Sequence, residues 1–400
     1  METRDSILKI SPYPSSARRA AGSLVKQSLS LIFLLVAISA SLGTFFYSFF
    51  HVSGWDAGNL WSAACLASSR WGGGCEIAPE QALIAQSVLR SYPPWSLPYF
   101  IWMSLLDKNG AFWLLFYLSG TLFGVVGVLL SYFAQRRFCP NIREALLIVC
   151  AISLYFPVYN HLAVGQLDVF QLTAYLIFMI LLGEKRYYLS GTFFAIAAIK
   201  PQFIWLICVY WFLNAFKDRA LIKFLFSAVC TIVLSSILGL YFRSGVVPGV
   251  WPVKNVEVTT ILQPNLGSYL VLILTDRALI RFLPSIFAIV ALFILRGRFV
   301  FSEQQVFRHL LILTPLSLLA APYSNIYDFI IMIPTITIAH MLKGVRWADC
   351  SKFFIFSALC FALSMITAIY FGAIHLFIWL LFAQFYYIRY VFFPDFRFKI

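Results

Sequence analysis

Apolar runs recur from Gln27 to the C-terminus, and no long polar domain interrupts them. This pattern constrains the chain more than its length does. At 400 residues a soluble chain would divide into two or three domains, but here 61% of residues are hydrophobic and 12% charged, far from the soluble average. Runs of this kind satisfy their backbone internally as helices and shed their side-chain surface into lipid. The expectation is an all-α polytopic membrane protein with about twelve spans and a cytoplasmic N-terminus. Residues 1–26 and 392–400 read as cytoplasmic tails flanking one membrane domain, 27–391. Segments 50–110 and 243–278 read as its two larger outer loops. The net charge of +14 then follows from topology. The basic turns QRR, EKR, KDR, RGR and KGVR fall on the inside, as the positive-inside rule requires. No basic patch with interleaved aromatics sits in a soluble segment, which excludes nucleic acid as a partner.

The chain is organised around residues 160–202, a hydrophobic hairpin with polar groups at its ends and its turn. Gln166 and Asp168 precede the first apolar run, Glu184, Lys185 and Arg186 break the middle, and Lys200 and Gln202 follow the second run. That second run is too short to cross a bilayer as a straight helix. A lysine between two apolar runs is costly in lipid and usually faces a protein interior or a wet cavity. With the EKR turn in the cytoplasm, both polar ends meet at the opposite face, and that meeting point reads as the active site. Plainer roles stay open: Gln166 and Asp168 can cap the following helix, and Lys200 can snorkel to the headgroups.

The first outer loop holds Asp56, five tryptophans and a glycine run. Residues 81–90 suit an amphipathic helix on the membrane surface. SYPPWSLPYFIWMSLL, with its three prolines, reads as re-entrant or interfacial, since a full span there would put every later basic cluster outside. Cys65 and Cys75 share this loop, where a disulfide is permitted. No cysteine spacing resembles a zinc site.

This topology collects Asp56, Gln166, Asp168, Lys200, Gln202 and Arg277 on the outer face, with Tyr323 and Asp328 of the APYSNIYD turn. A carboxylate there can take a proton from an attacking hydroxyl. A cation can stabilise charge growing on a leaving phosphate, more strongly where water is sparse. The stretches YPPWSLPYF, HLAVGQLDVFQLTAYL and LSGTFFAIAAIKPQFIWL, following a first-loop aspartate, resemble glycosyltransferase family 87 of the GT-C superfamily. The resemblance runs from about residue 56 to 216, with an echo at LLAAPYSNIYDF. It implies a multi-spanning enzyme of the plasma (inner) membrane with both termini cytoplasmic. The enzyme would move a sugar, often mannose, from a polyprenyl-phosphate donor to a lipid or glycan acceptor on the extracytoplasmic face. It also implies that Asp56 is the general base of an inverting transfer, and from the chemistry Lys200 is expected to meet the donor phosphate. The sequence departs from the family pattern at Asp168, where Asn is common, and at Ser324, Asn325 and Tyr327, where relatives often place His. No cofactor is called for, because a monophosphate donor needs no metal and no DxD pair lies on the outer face; dependence on a divalent metal stays open. The competing classes are a secondary transporter or lipid flippase, and an assembly subunit of an envelope complex.

Overall fold

Every element among the described residues is helical, and none is a strand. A computed structural model of the chain describes residues 55–69, 75–135, 158, 161, 165–242, 265–273, 278–294, 301–322, 324 and 326–335. Both tails, the first expected span, the second outer loop up to residue 264 and the final spans lie outside the described residues. Two described helices are long and apolar enough to cross a bilayer, Lys108–Leu130 and Arg219–Phe242. The expected count of about twelve spans is therefore not reached among the described residues. Hydropathy counts apolar runs, but it does not say how far each one extends.

Helix α1 (Trp55–Ser68) and helix α2 (Pro79–Ser91) begin the described chain. A Cys65–Cys75 disulfide joins the end of α1 to the approach to α2. Pro79 suits the first turn of α2, where a missing N–H costs nothing. Ala85 and Leu89 turn inward while Leu83 stays 71% exposed, so α2 has one apolar face packed and another presented outward. The proline-rich segment forms two short 3-10 turns, Pro94–Tyr99 and Ile101–Leu105, broken at Phe100. It is not a continuous helix. Proline rings cannot donate backbone hydrogen bonds or sit inside a helix without cost, and Pro93, Pro94 and Pro98 keep this stretch irregular. The Trp61 indole N–H donates to Leu106 O at 2.8 Å, tying the second 3-10 turn to α1.

Helix α3 (Lys108–Gln135) follows, 28 residues long. The hairpin follows as α4 (Asp168–Gly183) and α5 (Tyr187–Ala197). Its turn closes with Lys185 at φ 59° and with Arg186 N donating to Leu181 O at 2.8 Å. At 16 residues α4 is about 24 Å long, short of the roughly 30 Å hydrocarbon core. Helix α5 is shorter still. Its neighbour α7 (Arg219–Phe242) comes after α6 (Trp205–Leu213). Gly191 of α5 lies directly on the Phe224 carbonyl of α7, where a Cβ would collide with backbone. Small residues at such crossings let helices meet without the help of water exclusion. Higher along α7, Gly239 meets the Pro94 carbonyl in the same way, so the proline-rich segment sits over the end of α7.

Helices α8 (Leu266–Ile273), α9 (Leu283–Ile294) and α10 (Glu303–Ala320) complete the set, followed by a 3-10 turn, Ile326–Ile331. The main core gathers Tyr175, Phe178, Phe194, Trp211, Phe224, Phe307 and Phe329. A smaller core under α1 and α2 contains Ala57, Leu60, Cys65, Leu89, Phe100 and Leu167. The outward faces of α7 and α9 remain apolar, with Phe226, Leu234, Phe287 and Phe293 exposed, as surfaces that meet lipid should be.

Candidate active site

The two polar ends of the hairpin meet. Asp168 opens α4, and its position in the first turn suits a carboxylate near a helix N-terminus. Lys200 follows α5, where Pro201 stops the helix and starts a 3-10 turn, Pro201–Phe203. The Lys200 ammonium stands 2.6 Å from Asp168 Oδ1. It donates to Gln166 Oε1 at 3.0 Å and to Asp328 Oδ1 at 3.3 Å. Gln202 Nε2 donates to the other Asp328 oxygen at 3.2 Å. Gln171, with its amide turned to satisfy its neighbours, donates to Asp168 Oδ1 at 3.3 Å and accepts from the Lys200 backbone N–H at 2.9 Å.

Three separate turns are thus fastened together: the GQLD turn, the KPQ turn and the turn that begins the 3-10 helix with Asp328. Asp168, Asp328 and Gln171 are fully buried, and Lys200 is 6% exposed. Buried charges survive in protein only when paired and hydrogen-bonded, and this set meets that condition. His161 is enclosed as well, edge-on to Phe123. Its Nδ1 stands 3.6 Å from Asp168 Oδ2, beyond hydrogen-bonding distance. Both of its ring nitrogens and that carboxylate oxygen lack a hydrogen-bond partner among the described residues.

The proline-rich segment closes the cluster from above. The Tyr92 hydroxyl donates to Gln166 Oε1 at 3.2 Å, and the Trp95 indole N–H donates to Ala198 O at 3.0 Å. Tyr92 and Gln202 are only half-buried, so the partly open edge of the network runs between them. Gly165 adopts φ 71°, a left-handed conformation that favours glycine. A Cβ built on it would lie 2.6 Å from the Ala57 Cβ. The GQLD turn therefore abuts the first turn of α1, and Asp56 is the second residue of that helix.

Of the residues expected at the site, Gln166, Asp168, Lys200, Gln202 and Asp328 come together. The Asp56 backbone lies beside them, but its side chain lies outside the described residues, as do Arg277 and Tyr323. Sequence reasoning missed Gln171, although it lies one helical turn after Asp168 and so on the same face. It also read Tyr92 only as part of a structural break and left His161 without a role. Among the described residues no group of three or more His, Cys, Asp or Glu is placed to hold a metal ion.

Three motif-bearing stretches, YPP, GQLD and KPQ, thus share one polar network at one end of the helices. The family model of glycosyltransferase family 87 matches residues 91–322, more than half of the chain. No curated protein and no solved structure matches it. Taken with its helical, lipid-suited build, the match makes this a membrane-associated glycosyltransferase: the chain belongs to glycosyltransferase family 87.

Proposed function

We propose that the protein transfers a hexose, with inversion, from a polyprenyl-phosphate donor to a lipid or glycan acceptor at the extracytoplasmic face of the plasma membrane. Asp56 acts as the base. Its carboxylate takes the proton of the acceptor hydroxyl as that oxygen attacks the anomeric carbon. The bond from that carbon to the phosphate oxygen breaks, and its electron pair leaves on the phosphate. No metal is needed to hold a monophosphate. Gln166, which accepts from the Tyr92 hydroxyl, and the half-buried Gln202 are proposed to meet substrate, as are Arg277 and Tyr323.

The observation that carries this reading is the packing of the GQLD turn against the start of α1, with Gly165 on Ala57. It brings α1, with Asp56 as its second residue, to the polar cluster built from three motifs. The match to a glycosyltransferase family model over residues 91–322 favours this reading over a secondary transporter. The Cys65–Cys75 disulfide supports an extracytoplasmic position for the first loop, since such bonds persist in oxidising compartments.

Membranes carrying the protein should convert at least one labelled polyprenyl-phosphate hexose, drawn from a panel, into a glycosylated acceptor. Membranes lacking it should not. Absence of protein-dependent product across the panel would remove the proposed reaction. The orientation is tested separately. In intact cells, a cysteine probe beside Lys254 should react with an impermeant reagent, and probes beside Arg136 or Arg346 should not. Labelling at either arginine position would reverse the assigned faces.

A further inference from the structure

Lysine has three N–H donors and no acceptor. At Lys200 all three find acceptors inside the protein: Asp168 Oδ1 at 2.6 Å, Gln166 Oε1 at 3.0 Å and Asp328 Oδ1 at 3.3 Å. Two of those acceptors are carboxylates, and both belong to fully buried residues. Two carboxylates already match the charge of this ammonium, and only its neutral Gln166 contact could be given up to a donor phosphate without parting a buried ion pair. Separating such a pair without moving the charge into water is strongly unfavourable. The separations in sequence matter as well. Lys200 lies 34 residues from Gln166 and 128 from Asp328, so its one amine joins turns that no local structure would bring together.

We propose that Lys200 is a positioning residue and not the phosphate-binding cation. It fastens the GQLD turn and the Asp328 turn to the KPQ turn, and through Gly165 and Ala57 it fixes where α1, with Asp56 at its start, sits. Asp168 and Asp328 are both buried carboxylates, and Lys200 is committed to holding the two in place. The proposal rests on the glycosyltransferase reading only for its kinetic consequence. The electrostatic knot itself is a property of the folded chain.

The test compares Lys200→Gln with a triple variant in which the whole knot is made neutral: Asp168→Asn, Lys200→Gln and Asp328→Asn. In the single variant two buried carboxylates lose their ammonium, and the thermal midpoint in detergent should fall by about 10 °C. In the triple variant the amides and the glutamine can still hydrogen-bond to one another, and no buried carboxylate is left in the knot. Its midpoint should return to within about 3 °C of the wild type, and its donor KM to within about threefold. If Lys200 bound the donor phosphate, the triple variant would lack that cation and its donor KM would rise tenfold or more. That result overturns the proposal. So does a triple variant as unstable as Lys200→Gln alone, because uncompensated carboxylates would then not be the cause of the loss. If the wild type moves no sugar from any polyprenyl phosphate, the functional reading fails. The stability comparison still decides the role of Lys200.

Discussion

Asp56→Asn is expected to lower turnover by about a hundredfold to ten-thousandfold, the usual worth of a positioned general base, and to leave donor affinity within about threefold of the wild type. The substitution keeps size and hydrogen-bonding capacity and removes only basicity. Asp56 is the second residue of α1, so its backbone is held at the point where Ala57 meets Gly165. Of the other carboxylates in the first loop, Glu76 and Glu80 are exposed at the approach to α2 and in its first turn, and Asp107 is exposed just before α3, where it accepts from Gly110 N at 3.1 Å. All three follow the Cys65–Cys75 disulfide in the chain, whereas Asp56 stands at the opposite end of α1 from Cys65. Asp168 and Asp328 are fully buried and committed to Lys200, which leaves neither available to take a proton from an acceptor. The measurement is single-turnover transfer together with equilibrium binding of the labelled donor. Transfer at the wild-type rate would end the assignment of Asp56 as base. A loss confined to donor binding would make Asp56 a substrate contact and leave the base unidentified.

Much of the site was legible in the sequence because burying a charge in apolar surroundings is costly. A lysine following an apolar run, and a Gln and Asp ahead of another, announce that each needs a polar partner. The hairpin's two ends were therefore paired from hydropathy alone, and their meeting is a geometric fact. The identity of the partners was not legible. Nothing local links Lys200 to Asp328, 128 residues away. The sequence offered Lys200 as a cation for phosphate because it shows charge without showing neighbours. Helix ends were read less well for a similar reason. Apolar counting starts α10 near Leu310, whereas the helix begins at Glu303, in a polar turn that hydropathy passes over. There the Ser302 hydroxyl accepts from Gln305 N at 3.4 Å, and a Ser followed three residues later by Gln is the capping pattern that marks such a start. The count of about twelve spans is not reached among the described residues, where two helices are long and apolar enough to cross. The run ending near Ile199 was recognised as too short to span, but α4 and α6 are short as well. Helices of this length hold the polar turns closer together than a set of full spans would.

Gly165→Ala should reduce turnover by about a hundredfold, the cost of displacing a reacting group by roughly 1 Å, with a much smaller change in donor KM. Two effects act together. The backbone at φ 71° disfavours a residue with a Cβ by about 1–2 kcal/mol. The added methyl would also stand 2.6 Å from the Ala57 Cβ, closer than real side-chain carbons come. Either the GQLD turn or the start of α1 must yield. The turn is held by Gln166 and Asp168 on Lys200, so α1 is the partner that shifts, and Asp56 shifts with it. Adding Ala57→Gly removes the facing methyl and relieves the contact, at about 1 kcal/mol for a glycine inside a helix. The double variant should therefore recover at least tenfold of the lost turnover, although it is no more stable than Gly165→Ala. Recovery of rate without recovery of stability is a combination that general unfolding does not produce. Thermal midpoints measured beside kcat keep the two apart. If the double variant stays as slow as Gly165→Ala, contact between the GQLD turn and α1 does not govern the chemistry. The placement of Asp56 would then have to come from elsewhere in the chain.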